Sequence, residues 1–395
     1  MTPLRVTAYT LVNALGAGIQ ASLCALRDGR SGLRPCDFDD ARLDTWVGRV
    51  EGIERVALPE HLAHFDCRNN RLAYMGLTQD GLSHRVGETC ARQGAHRVGV
   101  FIGTSTSGIG ETEKAYSQRH PNSGALPESY RYRYTHNTFS VADFTRRFLG
   151  LKGPAQVVAT ACSSSAKVFA VAHRHIVAGL CDAAVVGGVD SLCLTTLHGF
   201  NSLELVSRHP CRPWDARRDG ISIGEAAGFA LLEGPDACSR GIALLGYGES
   251  SDAYHMSSPH PQGLGARLAI ERALAVARLN PVDIDYVNLH GTATRANDVS
   301  EDRALASVFG PKTICSATKG WTGHCLGAAG ITEALFTCLA IEHGFVPGTL
   351  NTDTPDSTLS TPLIIEGREC RVKRALSNSF GFGGDNCGLI FGRGN

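Results

Sequence analysis

One cysteine stands at a break in an apolar run, in QVVATACSSSAKVFAVAHRHIVAGL, residues 156–180. The two valines before it favour a β-strand, and the apolar spacing over residues 166–176 is that of a buried helix. The three serines that follow supply capping hydroxyls, so Cys162 is expected at a strand-to-helix turn, near the positive end of the helix. Such a position lowers the pKa of a thiol and favours a nucleophilic thiolate. A buried structural cysteine is the alternative that this segment alone leaves open.

A histidine follows a second strand candidate, in DYVNLHGTATRANDVSEDRAL, residues 285–305. The β-run ends at His290, a Gly-Thr-Ala-Thr turn follows, and a helix is expected to begin at Asp298 with Glu301 completing a capping box. A histidine at a strand end, beside glycine and hydroxyl residues, is well placed to face a pocket. A hydrogen-bonded structural histidine is the alternative.

A lysine and a second histidine share a glycine-rich loop in ICSATKGWTGHCLGAAGITEAL, residues 314–335. In such an apolar loop the ammonium of Lys319 needs a carboxylate to stay charged. Glu333, on the helix that follows and nine residues after His324, can supply it. A solvated loop lysine is the alternative.

The fourth segment is the glycine-rich LSNSFGFGGDNCGLIFG, residues 376–392. Its glycines let the backbone N–H of Phe382 approach a small group, and its phenyl rings can wall a tunnel. An ordinary hairpin is the alternative for a strand–turn–strand pattern of this kind.

Strand patterns alternate with helical patterns along the chain, which predicts an α/β protein with a largely buried sheet. The expected strands are 4–11, 97–103, 155–161, 183–188, 227–233, 242–249, 285–290, 313–318, 362–366, 374–379 and 387–392. The expected helices are 17–28, 71–92, 139–149, 163–179, 263–278, 298–308 and 327–343. The stretches 30–66 and 108–135 are interpreted as loops or insertions. Each half has a strand that ends in a reactive turn, so the order of elements indicates a duplication with a division near residue 240.

The composition argues against several classes of function. Of the 395 residues 19% are charged and the net charge is zero, without a long basic run, which argues against a nucleic-acid binder. No apolar stretch reaches the ~20 residues that span a bilayer, so no membrane span is expected. The 14 cysteines include no CxxC pair, and the start of the chain has no secretory pattern. We therefore expect reduced thiols, no zinc site and a cytoplasmic protein.

Five segments in the right order resemble the β-ketoacyl-ACP synthases, the condensing enzymes of fatty-acid and polyketide synthesis. TACSSS is similar to the family's nucleophile motif, HGTAT to its first histidine motif, TKGWTGHCLGAAG to its lysine and second histidine motif, and NSFGFGGDN to its C-terminal glycine loop. CRPWDARRDGISIGEAAG, residues 211–228, matches a further family segment, and SSDAYHMSSP, residues 250–259, looks like the elongating synthases of type II.

The resemblance covers essentially the whole chain and implies a fold and an activity. The implied fold is the thiolase fold, with duplicated βαβαβαββ halves, residues 1–240 and 241–395, in a five-layered αβαβα sandwich. The implied activity is that of an acyltransferase, which condenses malonyl-ACP with a cysteine-bound acyl group, with loss of carbon dioxide, to give β-ketoacyl-ACP.

The resemblance also implies a role for each reactive residue. Cys162 accepts the acyl group, with the backbone N–H groups of Cys162 and Phe382 as its oxyanion hole. His290 and His324 hold the malonyl thioester carbonyl and stabilise the enolate, so the far nitrogen of each imidazole must be held by a fixed partner. Lys319 is expected to position His324 and its loop.

Further residues are expected to support the site. Glu333 is expected to pair with the lysine, and Thr292 and Thr294 belong to the HGTAT turn beside the first histidine. Phe380 and Ile109 are expected to line the acyl pocket.

The gate and the docking surface are also expected from the resemblance. Phe382 is expected to gate the acyl tunnel. Arg68 and Arg71 resemble the basic edge that receives the acidic carrier protein.

The expected partners follow from the same resemblance. Acyl carrier protein brings the substrates on its phosphopantetheine arm, and no metal or redox cofactor is expected. Family members are dimers across a sheet edge, so the chain is expected to form a homodimer, or a heterodimer with a related ketosynthase or chain-length-factor subunit. Asp385 replaces a usual threonine, and Trp321 a smaller or sulfur-containing residue. These departures favour a specialised pathway, such as aryl polyene or other polyene synthesis, at least as well as fatty-acid synthesis.

Two other functions stay open at this point. A thiolase-like acyl-CoA acyltransferase would use Cys387 as an acid–base group. A non-catalytic, chain-length-type subunit of a heterodimeric synthase normally loses the nucleophile, and this chain keeps Cys162.

Overall fold

The strands of the chain form one large mixed sheet of 11 strands and two small sheets, of two and three strands, in the computed structural model, which describes residues 1–39, 41–237, 241–310 and 313–393. The strands are β1 Leu4–Asn13, β2 Gly16–Ala17, β3 Arg34–Pro35, β4 Trp46–Gly48, β5 Val98–Gly103, β6 Ala155–Val158, β7 Ala183–Asp190, β8 Ile223–Gly224, β9 Ala226–Glu233, β10 Ile242–Ser251, β11 Tyr286–Leu289, β12 Ile314–Ala317, β13 Phe345–Val346, β14 Arg368–Glu369, β15 Arg374–Gly381 and β16 Asp385–Arg393. The helices are α1 Ile19–Arg27, α2 Arg68–Leu77, α3 Leu82–Gln93, α4 Ile109–Ser117, α5 Ser140–Phe148, α6 Ser164–Val177, α7 Leu194–Ser202, α8 Leu264–Ala277, α9 Arg295–Phe309, α10 Lys319–Thr322 and α11 Ala329–His343.

The large sheet contains one arrangement twice. Its main strands lie in the order β12-β11-β15-β16-β10-β1-β9-β7-β5-β6. The five main strands of the first half are β1, β5, β6, β7 and β9, and those of the second half are β10, β11, β12, β15 and β16. If the strands of each half are numbered one to five along the chain, both halves have the order 3-2-4-5-1 from the outer edge to the centre of the sheet. In both, strands 3, 2 and 4 are parallel and strands 4, 5 and 1 antiparallel. This repeat confirms the duplication inferred from the order of elements.

Two buried helices, α6 and α11, lie back to back between the halves of the sheet. They approach closely at a glycine: a Cβ on Gly330 would lie 2.5 Å from the backbone nitrogen of Ala166. The Ile331 N–H donates to Ser165 Oγ over 2.9 Å, which ties the start of one helix to the start of the other. With α8 packed on β10 and β16, and α2 and α5 on the outer side of the first half, the layers are those of the predicted thiolase fold.

The two terminal strands of the sheet differ in what covers them. The segment 362–364 runs beside β12, where the Ile364 N–H donates to the Cys315 carbonyl over 2.8 Å. The predicted strand 362–366 is wrong, because this segment makes only an isolated bridge between Leu363 and Cys315. Within the described residues nothing pairs with the outer side of β6, whose Gln156 is exposed.

Other departures from the predicted elements are local. The single helix expected at 71–92 is two helices, because the chain turns between α2 and α3 at Gly81, whose φ is +70°. The stretch expected to be a loop at 108–135 contains α4, and α7 was not predicted; both are short helices of 9 residues. The predicted division at residue 240 lies outside the described residues and stays a prediction.

The helices of the described chain are also short relative to a bilayer. The longest, α9 and α11, have 15 residues each. A span of the hydrocarbon core needs ~20 apolar residues. Accordingly, no described helix is long and apolar enough to cross a membrane.

Candidate active site

Cys162 lies in the turn between β6 and α6, as the sequence predicts. The turn is tight: Ala161 has a φ of +50°, and the thiol of Cys162 is buried. The hydroxyls of Ser163 and Ser164 hold this turn and do not cap the helix. Ser164 Oγ accepts from the Thr160 N–H over 2.9 Å and donates to the Ala161 carbonyl.

Burial controls the acidity of this thiol. It raises the pKa of Cys162 to about 11, against the lowering effects of the Lys319 ammonium and the Phe382 N–H. The prediction of a lowered pKa is therefore wrong for the free protein, because the loss of hydration of a thiolate outweighs the positive groups around it. The resting group is a thiol, and the donors around it stabilise the thiolate only as it forms.

Both histidines are neutral and face the cavity with the same nitrogen. His324 Nε2 lies 3.1 Å from Cys162 Sγ, and the two imidazole rings are 5.4 Å apart at 85° to one another. His324 Nδ1 accepts from the Leu326 N–H over 3.2 Å, and His290 Nδ1 lies 3.2 Å from Lys319 Nζ. Burial and Lys319 hold both pKa values well below the usual range. Because both Nδ1 atoms accept, the proton of each ring is on Nε2.

The buried ammonium of Lys319 uses its three N–H groups on two residues. It donates to Nδ1 and to the backbone carbonyl of His290, and it pairs with Glu333. Burial raises the pKa of Glu333 to about 7, and Lys319 opposes this shift. The expected pairing is found, but the lysine positions His290 and not His324, because its side chain extends from α10 toward the end of β11. The Leu326 N–H holds His324 instead.

Glu301 holds the backbone of His290, a role that the sequence did not suggest. Its carboxylate accepts from the N–H groups of His290 and Gly291 over 2.8 and 2.9 Å. The predicted capping box is wrong, because Thr294 is the N-cap of α9 and accepts from the Asn297 N–H over 3.4 Å. Burial raises the pKa of Glu301 to about 7, and the two backbone donors oppose the shift.

Asp190 is a second supporting carboxylate that the sequence analysis missed. It accepts from Thr104 Oγ1 over 2.6 Å, from the Ser105 N–H over 3.0 Å and from the Gly327 N–H over 2.7 Å. It therefore fixes the loop after β5 against the turn that follows His324. The available signal was an acidic residue at the buried end of a strand, in VVGGVD.

The glycine loop, residues 381–384, lies directly over the cysteine. The Phe382 N–H lies close enough to the Cys162 sulfur to lower the pKa of the thiol. A Cβ on Gly381 would lie 2.8 Å from the Thr160 carbonyl oxygen and 3.3 Å from the Cys162 nitrogen. Only glycine lets this loop approach closely enough for the donor to reach the sulfur.

A cavity of about 480 Å³ joins these groups to the surface. Among the predicted site residues, its lining includes Cys162, His290, His324, Thr292, Thr294, Phe380 and Phe382. Lys319 and Glu333 lie behind the histidines, out of contact with the cavity. Ile109, expected in the acyl pocket, is half-buried at the start of α4 and is not among the lining residues.

The two arginines expected to receive the carrier protein are held by carboxylates of this chain. Arg68 makes a double hydrogen bond to the buried Glu225, at 2.6 and 2.9 Å, and a third to Glu54. Arg71 binds Asp66 in the same two-pronged way, at 2.5 and 2.6 Å. These ion pairs do not favour the assignment of either arginine to carrier-protein docking, which stays a prediction.

Two other residues noted in the sequence, Trp321 and Cys387, are buried away from the cavity. Trp321 is buried and donates from Nε1 to the Gly348 carbonyl over 2.9 Å, so it packs the core. Cys387 is buried within β16, between β10 and β15, and does not line the cavity.

Cys162, His290 and His324 are close enough to share a metal ion, with their ligand atoms within 4.8 Å of one another. A metal would require unprotonated Nε2 atoms. That would move the His290 proton to Nδ1, which faces the Lys319 ammonium. The arrangement fits a pair of hydrogen-bond donors better than a metal centre. That the chain needs no metal or cofactor stays a prediction.

Comparison with known proteins agrees with this geometry. Models of the β-ketoacyl synthase N-terminal and C-terminal domains match residues 1–237 and 242–353. The chain belongs to the β-ketoacyl synthase family. The predicted family and the predicted acyltransferase activity are therefore confirmed.

Individual relatives extend the match over the whole chain. The 3-oxoacyl-[acyl-carrier-protein] synthase 2 of Vibrio harveyi is 33% identical to this ketosynthase, over 98% of the chain and 97% of the relative. The chloroplastic 3-oxoacyl-[acyl-carrier-protein] synthase II of Arabidopsis thaliana is 42% identical over 62% of the chain, which spans 48% of that relative. A solved ketosynthase (ApeO) in complex with its chain length factor (ApeC), from Xenorhabdus doucetiae, superposes with a TM-score of 0.90, at 37% identity, over 99% of this chain and 98% of that one.

The raised pKa of Cys162 predicts a steep pH dependence of its alkylation. Because only the thiolate reacts, the rate with iodoacetamide should rise about tenfold per pH unit from pH 7 to 9.5 without a plateau. Mass spectrometry of the peptide that contains Cys162 measures this rate, with Cys162→Ala as control. A plateau between pH 7 and 8 would show that the thiolate is already stabilised in the free protein.

The buried pair of Lys319 and Glu333 predicts that stability and activity can be separated. Lys319→Met leaves a buried carboxylate unpaired and should lower the free energy of unfolding by about 3 kcal/mol. The double variant Lys319→Met/Glu333→Leu should regain most of this stability, because neither charge is then buried. Malonyl decarboxylation should fall in both variants, because His290 Nδ1 has lost its donor.

Urea unfolding and carbon dioxide release measure the two effects. Recovery of decarboxylation together with stability in the double variant would contradict the role given to Lys319.

Proposed function

We propose that this ketosynthase lengthens an acyl chain held on Cys162 by two carbons taken from malonyl-ACP. The observation that carries the proposal is the arrangement of three groups in one buried cavity: a thiol, 3.1 Å from His324 Nε2, and a second imidazole whose Nε2–H faces the same space. A nucleophile beside two fixed neutral donors suits acyl transfer followed by enolate formation.

The first step is a thioester exchange at Cys162. The sulfur attacks the carbonyl carbon of an acyl-ACP thioester, and the bond from that carbon to the carrier's sulfur breaks. The proton of the Cys162 thiol ends on the released carrier thiol, so no proton is gained or lost overall. The Phe382 N–H, which lowers the pKa of the Cys162 thiol, supplies one donor for the developing oxyanion.

The second step joins two carbons and uses both histidines. The Nε2–H groups of His290 and His324 donate to the carbonyl oxygen of the malonyl thioester, and the carboxylate leaves as carbon dioxide. The resulting enolate carbon attacks the acyl carbon on Cys162, and the carbon–sulfur bond to Cys162 breaks. The released thiolate takes up one proton, which restores the thiol and leaves β-ketoacyl-ACP.

The thiolase-like alternative needs Cys387 as an acid–base group at the cavity, and the position of Cys387 argues against this role. Burial strongly raises the pKa of Cys387, and its side chain lies away from the cavity. A group in that position cannot exchange protons with a substrate at Cys162. A non-catalytic subunit is disfavoured for a different reason, because the thiol, both imidazoles and their Nδ1 partners are all present and assembled.

We infer that carrier protein docks at the mouth of the cavity beside Arg295. This residue lines the cavity, is exposed, and forms no ion pair with any described residue. A free guanidinium there suits the phosphate of a pantetheine arm or an acidic carrier surface. It replaces the pair of arginines expected from the sequence.

We also propose that the chain works as a dimer in a specialised pathway. The open edge of β6 offers unpaired backbone groups to a second ketosynthase-like chain. The similarity to a ketosynthase that is bound to its chain length factor supports a heterodimer. The departures at Asp385 and Trp321 are the reason to propose polyene-type synthesis, aryl polyenes included, beside fatty-acid synthesis. The 13 described cysteines are all unpaired, which supports a reducing, cytoplasmic location.

Intact-protein mass spectrometry tests the nucleophile and the substrate class. Mixing the protein with a panel of acyl-ACPs should add one acyl mass, and Cys162→Ala should remove that gain. Cys162→Gln should abolish elongation and leave malonyl decarboxylation by the two histidines intact. Acylation by acyl-CoA but by no acyl-ACP, or elongation by Cys162→Gln, would contradict the proposal.

The edge of β6 predicts the oligomeric state. Gln156→Lys places like charges near one another across a self-paired β6 edge, so it should weaken a homodimer several-fold. A heterodimer with an unlike subunit should be unaffected, because the facing residue is different. Analytical ultracentrifugation of the chain alone, and with a coexpressed partner, measures both. An unchanged homodimer would show that another surface pairs the chains.

A further inference from the structure

An ion pair between described residues links the helix behind the nucleophile to the flank of the loop over it. Lys167 Nζ lies 2.6 Å from Asp385 Oδ1. The side chain of Lys167 is 12% exposed, and that of Asp385 is 39% exposed. Such a pair is partly desolvated and is therefore stronger than an exposed one.

One partner belongs to the helix that positions the nucleophile, and the other lies next to the loop that positions the oxyanion donor. Lys167 is in the first turn of α6, five residues after Cys162. Asp385 is the first residue of β16 and follows directly on the glycine loop, 381–384, that carries the Phe382 N–H.

Neither residue is of the type expected at its position in the sequence. A cation in the first turn of a helix is opposed by the helix dipole, which favours anions there. The carboxylate of Asp385 offsets this effect for Lys167. Asp385 in turn stands where the resembled family has a threonine, which cannot form an ion pair.

The loop has fixed contacts on its other side. The Gly383 N–H donates to the Met256 carbonyl over 2.7 Å, and the Asp252 N–H donates to the Gly384 carbonyl over 2.9 Å. Both contacts hold the loop to the segment after β10. The contact of Lys167 with Asp385 is the side-chain bond that holds the flank of the loop to the helix of the nucleophile.

We propose that Lys167 and Asp385 form a latch that keeps the glycine loop closed over Cys162, with the Phe382 N–H aimed at the sulfur. Both are positioning residues, because neither lines the cavity. The latch rests on the proposed function in that the group it positions is the donor for acyl transfer to Cys162.

The latch predicts that two reactions of one sulfur change in opposite directions. In Asp385→Asn or Lys167→Met the loop opens more often. Alkylation of Cys162 by iodoacetamide at fixed pH should then rise about tenfold. The loss of one charged hydrogen bond changes the equilibrium constant for loop opening by roughly this factor. Acyl transfer from acyl-ACP should fall about tenfold, less than complete loss of an oxyanion donor would cause. Malonyl decarboxylation by the two histidines should stay within about twofold.

Two further variants separate a latch from simple loss of stability. The charge reversal Lys167→Asp/Asp385→Lys should return both rates to within about threefold of those of the original protein. Arg174→Met is the matched control, because Arg174 lies two turns further along α6 and pairs with Glu249 of β10, away from the loop. It should change neither rate.

Peptide mass spectrometry gives the alkylation rate, and intact mass gives the acylation rate. Rates that are unchanged, that move in the same direction, that are not restored by the charge reversal, or that change equally in Arg174→Met overturn the latch. If the original protein is not acylated by any acyl-ACP, the proposed function fails, and the alkylation rates alone still decide whether the latch exists.

Discussion

The close packing of α6 against α11 is the contact on which the site depends. Gly330 lets the two helices approach until their first turns touch, and each helix is preceded by one reactive residue. Cys162 precedes α6 and His324 precedes α11, so the duplicated fold places a sulfur and an imidazole at equivalent positions of its two halves. A side chain at Gly330 would separate the two helix starts, and with them the sulfur from the Nε2–H.

Around this contact, buried charged side chains are hydrogen-bonded to, or paired with, groups of the neighbouring loops and helices. The carboxylates of Asp190 and Glu301 accept mainly from backbone N–H and hydroxyl groups of the loops that carry the reactive residues. Lys319 and Glu333 form the one ion pair behind the histidines, and the lysine fixes one imidazole tautomer. Lys319, Glu333, Glu301 and Asp190 therefore act on a substrate through the neutral groups that they hold, because none of these four side chains lines the cavity.

Much of this arrangement is visible in the sequence because reactive residues follow buried strands. The cysteine follows β6 and the first histidine follows β11. These two strands lie in different halves of the sheet and do not pair, so the meeting of their loops depends on the packing of α6 against α11. The direction of a long side chain is not visible in the same way. The histidine that Lys319 supports depends on the turn of α10, and the inward orientation of Arg68 depends on Glu225, which is 157 residues away along the chain. The acidity of Cys162 also depends on tertiary burial, which a local helix argument does not include.

The unequal edges of the duplicated sheet limit how chains of this kind can assemble. The edge at β12 is occupied by the chain's own segment 362–364, whereas no described residue pairs with the edge at β6. Strand pairing through a single open edge uses up that edge in both chains, so growth stops at two. A pair of identical chains closed in this way leaves, among the described residues, no free edge of the large sheet to extend into a fibre.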